Sequence, residues 1–141
     1  MNLVQAEAFL DAHINMEKML AGERATAPTL ERVRELLGLL GDPERQYPIV
    51  HVTGTNGKTS TSRAIGALLT AHDLSVGTYT SPHLHSVTER LLWNGEAIKP
   101  GDFAALVEQL ARLEPLLSAK PTWFELVTAA GFAWFADLAV D

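Results

Sequence analysis

Residues 49–60 read Ile-Val-His-Val-Thr-Gly-Thr-Asn-Gly-Lys-Thr-Ser. A β-branched run leads into a turn with Gly54 and Gly57, and then a lysine and two hydroxyls open a helix-like stretch. That order suits chemistry on a nucleotide's phosphates. The glycines let the backbone curl so that its N–H groups converge, and the helix start adds partial positive charge. Lys58 adds a full charge for the β- and γ-phosphates, and a hydroxyl after it can hold Mg²⁺. The candidate nucleotide-binding residues are Gly54, Thr55, Asn56, Gly57, Lys58, Thr59 and Ser60, with Lys58 also the candidate catalytic residue. The general phosphate-loop pattern has a further glycine five residues before Gly57, where Val52 stands.

The elements that must position this loop are legible around it. Residues 2–20 read as a helix that Asn2 can cap, with Leu3, Ala6, Leu10 and Ile14 along one face. A loop at 22–28 follows. The stripe Leu30, Val33, Leu36, Leu37, Leu40 predicts a helix over 29–40, capped by Thr29 and stopped by Gly41. Residues 49–53 read as a buried strand. A helix over 58–71 should turn Ala64, Ile65, Leu68 and Leu69 inward, and Ser75–Thr80 reads as a second strand. Strand, helix and strand make a βαβ unit, for which a parallel pair and a right-handed crossover are expected. Ser81-Pro82-His83-Leu84 then leaves the end of a strand, where ligands bind in open α/β sheets. Arg90–Trp93 and Glu96–Ile98 flank Asn94-Gly95, the favoured type I′ hairpin pair. Pro100 opens a helix to about Leu117 that Pro115 can shorten. A last helix covers 123–136, and a strand is expected from Leu138 to Asp141.

The chain has 141 residues, of which 47% are hydrophobic and 20% charged, enough for one domain with a core. A net charge of −6 argues against a protein that tracks a nucleic-acid backbone. With no cysteine, disulfides, thiolate zinc sites and thiol catalysis are excluded. No signal peptide or membrane-spanning run is visible, so a cytoplasmic location is expected.

Several residues have simpler readings. Thr122 and Glu125 form the spacing of a capping box at the start of the last helix. His51, at the end of an apolar strand, is expected to pack. Trp123, Phe124, Trp134 and Phe135 sit at helical spacing and are expected in the core. His13, His72 and His85 have no partners at ligand spacing.

Taken together these stretches resemble the Mur ligase superfamily, and most closely its folylpolyglutamate synthase/dihydrofolate synthase branch. The resemblance rests on Thr29–Gly41 with Pro43, on His51–Lys58, on Thr80-Ser-Pro-His-Leu84 with Glu89-Arg90, on Asn94-Gly95 with Ile98, and on Thr122-Trp-Phe-Glu125 with Thr128-Ala129. It covers nearly the whole chain in order. It implies a P-loop-containing three-layer α/β/α fold with a mostly parallel sheet, incomplete at the C-terminal end. Residues 1–47 would be a helical lead-in and 48–141 the P-loop portion of an ATP-binding domain. It implies ATP and Mg²⁺ as cofactors, and an ATP-dependent ligase that joins glutamate to dihydropteroate or folate through an acyl phosphate. Ser81, Pro82 and His83 become candidate substrate-binding residues, and Thr59, Ser60 and Ser81 candidate metal ligands. No nucleic-acid or membrane partner is expected, and the full-length protein is expected to be a monomer. Thr59 directly after Lys58 is the arrangement of the cell-wall Mur ligases, so which of Thr59 and Ser60 faces the metal stays open. Family members are about three times longer, so this chain reads as a fragment that is inactive alone. Two other readings stay open: a cell-wall Mur ligase acting on a uridine-diphosphate sugar peptide, and a non-catalytic nucleotide-binding module.

Overall fold

A computed structural model describes residues 1–15 and 30–141. The helices are α1 (Leu3–Asp11), α2 (Glu31–Leu39), α3 (Lys58–Thr70), α4 (Pro100–Leu113) and α5 (Trp123–Asp137), and the strands are β1 (Gly77–Tyr79), β2 (Leu91–Trp93) and β3 (Glu96–Ala97). Short 3₁₀ turns cover Pro43–Arg45, Val87–Arg90 and Glu114–Leu116.

Local chemistry sets most boundaries. The Asn2 side chain accepts from the Gln5 amide while the Gln5 side chain accepts from the Asn2 amide, both at 2.9 Å, which starts α1. The helix ends at Asp11, and the rest of the predicted span, from residue 16, lies outside the described residues, as do the 22–28 loop and the Thr29 cap. Gly41, at φ +84°, closes α2 with an Asp42 N–H to Leu37 C=O bond of 2.9 Å, a Schellman stop. Asn94 and Gly95 take φ +49° and +85° and turn β2 into β3 as expected. Pro115 stands in the 3₁₀ turn that ends α4 at Leu113.

The sheet is flanked on both faces. Gly66 of α3 lies over Thr78, where an added Cβ would sit 2.6 Å from the Thr78 hydroxyl. The next residue back, Gly77, faces the other way, and a Cβ there would sit 2.5 Å from the Phe135 ring of α5. Neighbouring strand residues point to opposite faces, so α3, the sheet and α5 form three layers. Behind α5 the core continues through Ala6 and Leu10 of α1, Leu36 and Leu37 of α2, and Phe103, Val107 and Leu110 of α4.

Several expectations are corrected. Residues 49–53 are not a strand: the segment forms no regular element, is mostly exposed, and makes no backbone ladder among the described residues. A strand needs a neighbour, and among the described residues β1 pairs only with β2, while β2 also pairs with β3, both antiparallel. The α/β layering therefore stands, but the parallel βαβ ladder is not formed here. His51 is accordingly exposed rather than packed, and so are Ala64 and Leu68 of α3, which find nothing to cover them. Residues 138–141 are not a strand either. Ala139 takes φ +49°, and the Val140 amide returns to the Phe135 carbonyl, closing α5. Of the four aromatics expected in the core, Trp123 and Phe135 are buried and Trp134 is half-buried, whereas Phe124 is exposed.

Candidate functional site

The phosphate-loop candidates sit at the start of α3. Gly54 has φ +148° and Gly57 φ +75°, conformations that side chains other than glycine rarely adopt. Gly57 is the N-cap of α3 and offers no side chain to cap it. The first intrahelical bond is from the Thr61 amide to the Gly57 carbonyl at 2.9 Å, so the amides of Lys58, Thr59 and Ser60 have no helical acceptor. The Lys58 ammonium folds back and donates to the Gly54 carbonyl at 2.6 Å. Three outward amides, a helix dipole and a lysine thus collect at one exposed turn, a donor set matched to polyanionic oxygen. Thr59 is half-buried and Ser60 exposed.

Upstream, the loop is tied at Tyr47. Its hydroxyl donates to the Phe132 carbonyl at 3.1 Å, and its ring meets Phe135 edge-on. Burial, with Glu44 nearby, pushes the Tyr47 hydroxyl well above its usual range, so it is a donor at all working pH. Between Tyr47 and the loop, Pro48–Val52 line a cavity of about 540 Å³ against Ile65 and Leu69 of α3, Gly77–Tyr79 of β1, and Phe132 and Phe135 of α5.

The second loop follows β1. Ser81 and Pro82 are exposed and joined by a cis peptide, and His83 is half-buried. Arg90 donates from Nε to Nδ1 of His83 at 2.8 Å, and its guanidinium lies 4.6 Å from the centre of the Trp123 ring. The turn is closed by Glu89, which accepts from the amides of Leu84, His85 and Ser86 at 2.9, 3.0 and 2.9 Å. The Leu84 and Ser86 amides, foremost, hold its carboxyl below the usual range. Neither the 540 Å³ cavity nor a second of about 600 Å³ between α3 and the sheet is lined by residues 54–60 or 81–83. The two candidate loops are each built locally, and neither forms a wall of these two cavities.

Glu125 is structural, as the capping spacing implies. It accepts from the Thr122 amide at 2.7 Å, while Thr122 accepts from the Glu125 amide at 3.2 Å. It also receives Arg32 of α2 through two bonds of 3.2 and 3.1 Å. The sequence reading missed the buried Arg90 and the capping box of Ser86 and Glu89, although Ser-x-x-Glu was there to be read. No group of three or more His, Cys, Asp or Glu that could hold a metal occurs among the described residues. None of the described helices is long and apolar enough to cross a membrane.

The layered fold and the glycine turn opening α3 define an α/β protein of the P-loop class. No protein-family model matches the chain. It is 40% identical over 125 residues to the dihydrofolate synthase/folylpolyglutamate synthase of Mycobacterium tuberculosis, a match spanning 81% of this chain and 26% of that protein. The solved M. tuberculosis folylpolyglutamate synthase complexed with ADP is 39% identical with a TM-score of 0.87, covering 99% of this chain and 30% of that one. An FPGS–AMPPCP–folate complex is 31% identical with a TM-score of 0.84, covering 100% and 34%. The chain belongs to the folylpolyglutamate/dihydrofolate synthase family of Mur ligases, and it spans about a quarter to a third of these relatives' length.

Proposed function

We propose that this chain supplies the phosphate-binding part of an ATP-dependent ligase that adds glutamate to dihydropteroate or folate through an acyl phosphate. The observation that carries this is the start of α3, where unpaired amides and Lys58 converge at a glycine turn. Support comes from the ADP-bound and the AMPPCP- and folate-bound relatives. In this reading Gly54, Thr55, Asn56 and Gly57 shape the loop, and the amides of Lys58–Ser60 cradle the phosphates. Lys58 leaves the Gly54 carbonyl to meet the β- and γ-phosphate oxygens. The hydroxyls of Thr59, Ser60 and Ser81 are hard oxygen donors and fit Mg²⁺. When bound, Mg²⁺ neutralises charge that develops on the transferred phosphoryl group. Ser81, Pro82 and His83 take the pterin end of the acceptor. Residues 1–47 form the lead-in and 48–141 the P-loop portion, of a protein that is cytoplasmic, monomeric at full length, and without nucleic-acid or membrane partners. The negative charge of −6 supports the last point.

In this reading the chain alone binds ATP without turning it over. Calorimetric titration with ATP and Mg²⁺, then with dihydropteroate and with a uridine-diphosphate sugar, tests this. Heat from ATP and from the pterin is expected, with none from the sugar. No ATP binding would overturn the phosphate-loop assignment, and binding of the sugar instead of the pterin would move the acceptor to the cell-wall class. Steady glutamate-dependent ADP release would show that the catalytic set lies within residues 1–141.

A further inference from the structure

Arg90 is the largest fully buried side chain among the described residues, at 1% exposure, and it lies under the loop that carries His83. Burying a guanidinium is costly unless its donors are met. Here the Trp123 face lies 4.6 Å from the guanidinium carbon, and Nε–H points at Nδ1 of His83, 2.8 Å away. The adjacent carboxylate of Glu89 is turned to the amides of Leu84, His85 and Ser86. The imidazole lies beside the same indole, with ring centres 6.1 Å apart.

An arginine side chain has only donors and stays protonated at any working pH. A nitrogen that receives its N–H must present a lone pair. Nδ1 of His83 therefore carries no proton, and in the neutral ring the proton resides on Nε2. We propose that Arg90 is a positioning residue that fixes His83 as the neutral Nε2–H tautomer. This inference rests on the acceptor-loop reading for its functional meaning. In that tautomer Nε2–H is a donor, and Nδ1, held by Arg90, is not available as a base. The device is local. The turn that Glu89 closes brings Arg90 back to His83, and Trp123, capped into α5 by Thr122 and Glu125, lies beside both the guanidinium and the imidazole.

Long-range ¹H–¹⁵N correlation on the uniformly labelled 141-residue chain at neutral pH reads the tautomer directly, with the His83 signals assigned by their loss in His83→Gln. A single pattern is expected in the wild type, with Nε2 protonated and Nδ1 bare. In Arg90→Met, of similar bulk without donors, the pattern should collapse toward the average of the two tautomers. An averaged or Nδ1-protonated ring in the wild type would overturn the proposal, and that measurement needs no variant to fold. An unchanged pattern in a folded Arg90→Met would also overturn it and leave Arg90 a packing residue. No ligand enters the experiment. Failure of the chain to bind dihydropteroate would therefore remove the acceptor-loop reading while the tautomer result stands or falls separately.

Discussion

Lys58→Ala is expected to weaken ATP binding about 5- to 30-fold. A charge-assisted hydrogen bond to phosphate is worth about 1.5–3 kcal/mol. The lysine does not come to it from water, because in the free chain its ammonium already donates to the Gly54 carbonyl at 2.6 Å. That bond joins the ammonium to a neutral carbonyl at a solvent-exposed turn, not to an anion, so giving it up costs less, about 0.5–1.5 kcal/mol. The net loss on mutation is then about 1–2 kcal/mol, which sets the fold-change. The loop is exposed, so the effect should shrink with added salt, and titrations belong at one fixed ionic strength. The unliganded protein gives the control. A cation in the first turn of α3 opposes the helix dipole by about 0.3–1 kcal/mol, which offsets the lost bond to Gly54. The melting temperature should therefore hold. Equal ATP affinity in both proteins would refute the role of Lys58. A weakened affinity together with a clear fall in melting temperature would show that the lysine clamps the loop instead of meeting the ligand.

Gly77→Ala should destabilise by about 1–3 kcal/mol, since its Cβ would meet three Phe135 ring atoms at 2.5–2.7 Å, seen as a lower urea midpoint at constant slope; Gly101→Ala in α4, with open space around it, should show no such loss. Glu125→Ala should cost about 1.5–3 kcal/mol by removing the acceptor of the Thr122 amide and of Arg32. A double-mutant cycle with Arg32→Met should then return a coupling energy, and additive losses would mean the ion pair contributes nothing. The depressed carboxyl of Glu89 contributes stability that is present above its unfolded-state pKa and lost as pH falls through the lower folded value. Glu89→Gln should lack that component of acid unfolding, the two proteins converging at low pH; an unchanged pH profile would show that the three amides do not depend on the charge.

What could be read from the sequence was what neighbours in the chain decide. Asn2, Gly41, Asn94-Gly95, Pro100 and Thr122-x-x-Glu125 act within a few residues of themselves, and each placed its boundary. The run Ile49–Thr53 misled because β-branched residues say that a segment suits a strand, not that a partner lies beside it. The same holds for Leu68, apolar at the right helical spacing yet 65% exposed. Long-range pairs left no local trace at all. Arg32 meets Glu125 across 93 positions, and His13, buried against Glu114 at 3.1 Å, does so across 101. At the candidate site the glycine turn and Lys58 were legible, whereas the Arg90–His83–Trp123 stack depends on a fold that brings β2 and α5 together.

The phosphate turn is held unequally at its two ends. Downstream it is the first turn of α3, and upstream its nearest tie is the Tyr47 hydroxyl, with five ladderless residues, 49–53, between. A shift of α5 reaches the turn through that hydroxyl and five residues without a ladder, whereas a shift of α3 reaches it directly, so the phosphate turn is geared to α3 rather than to α5.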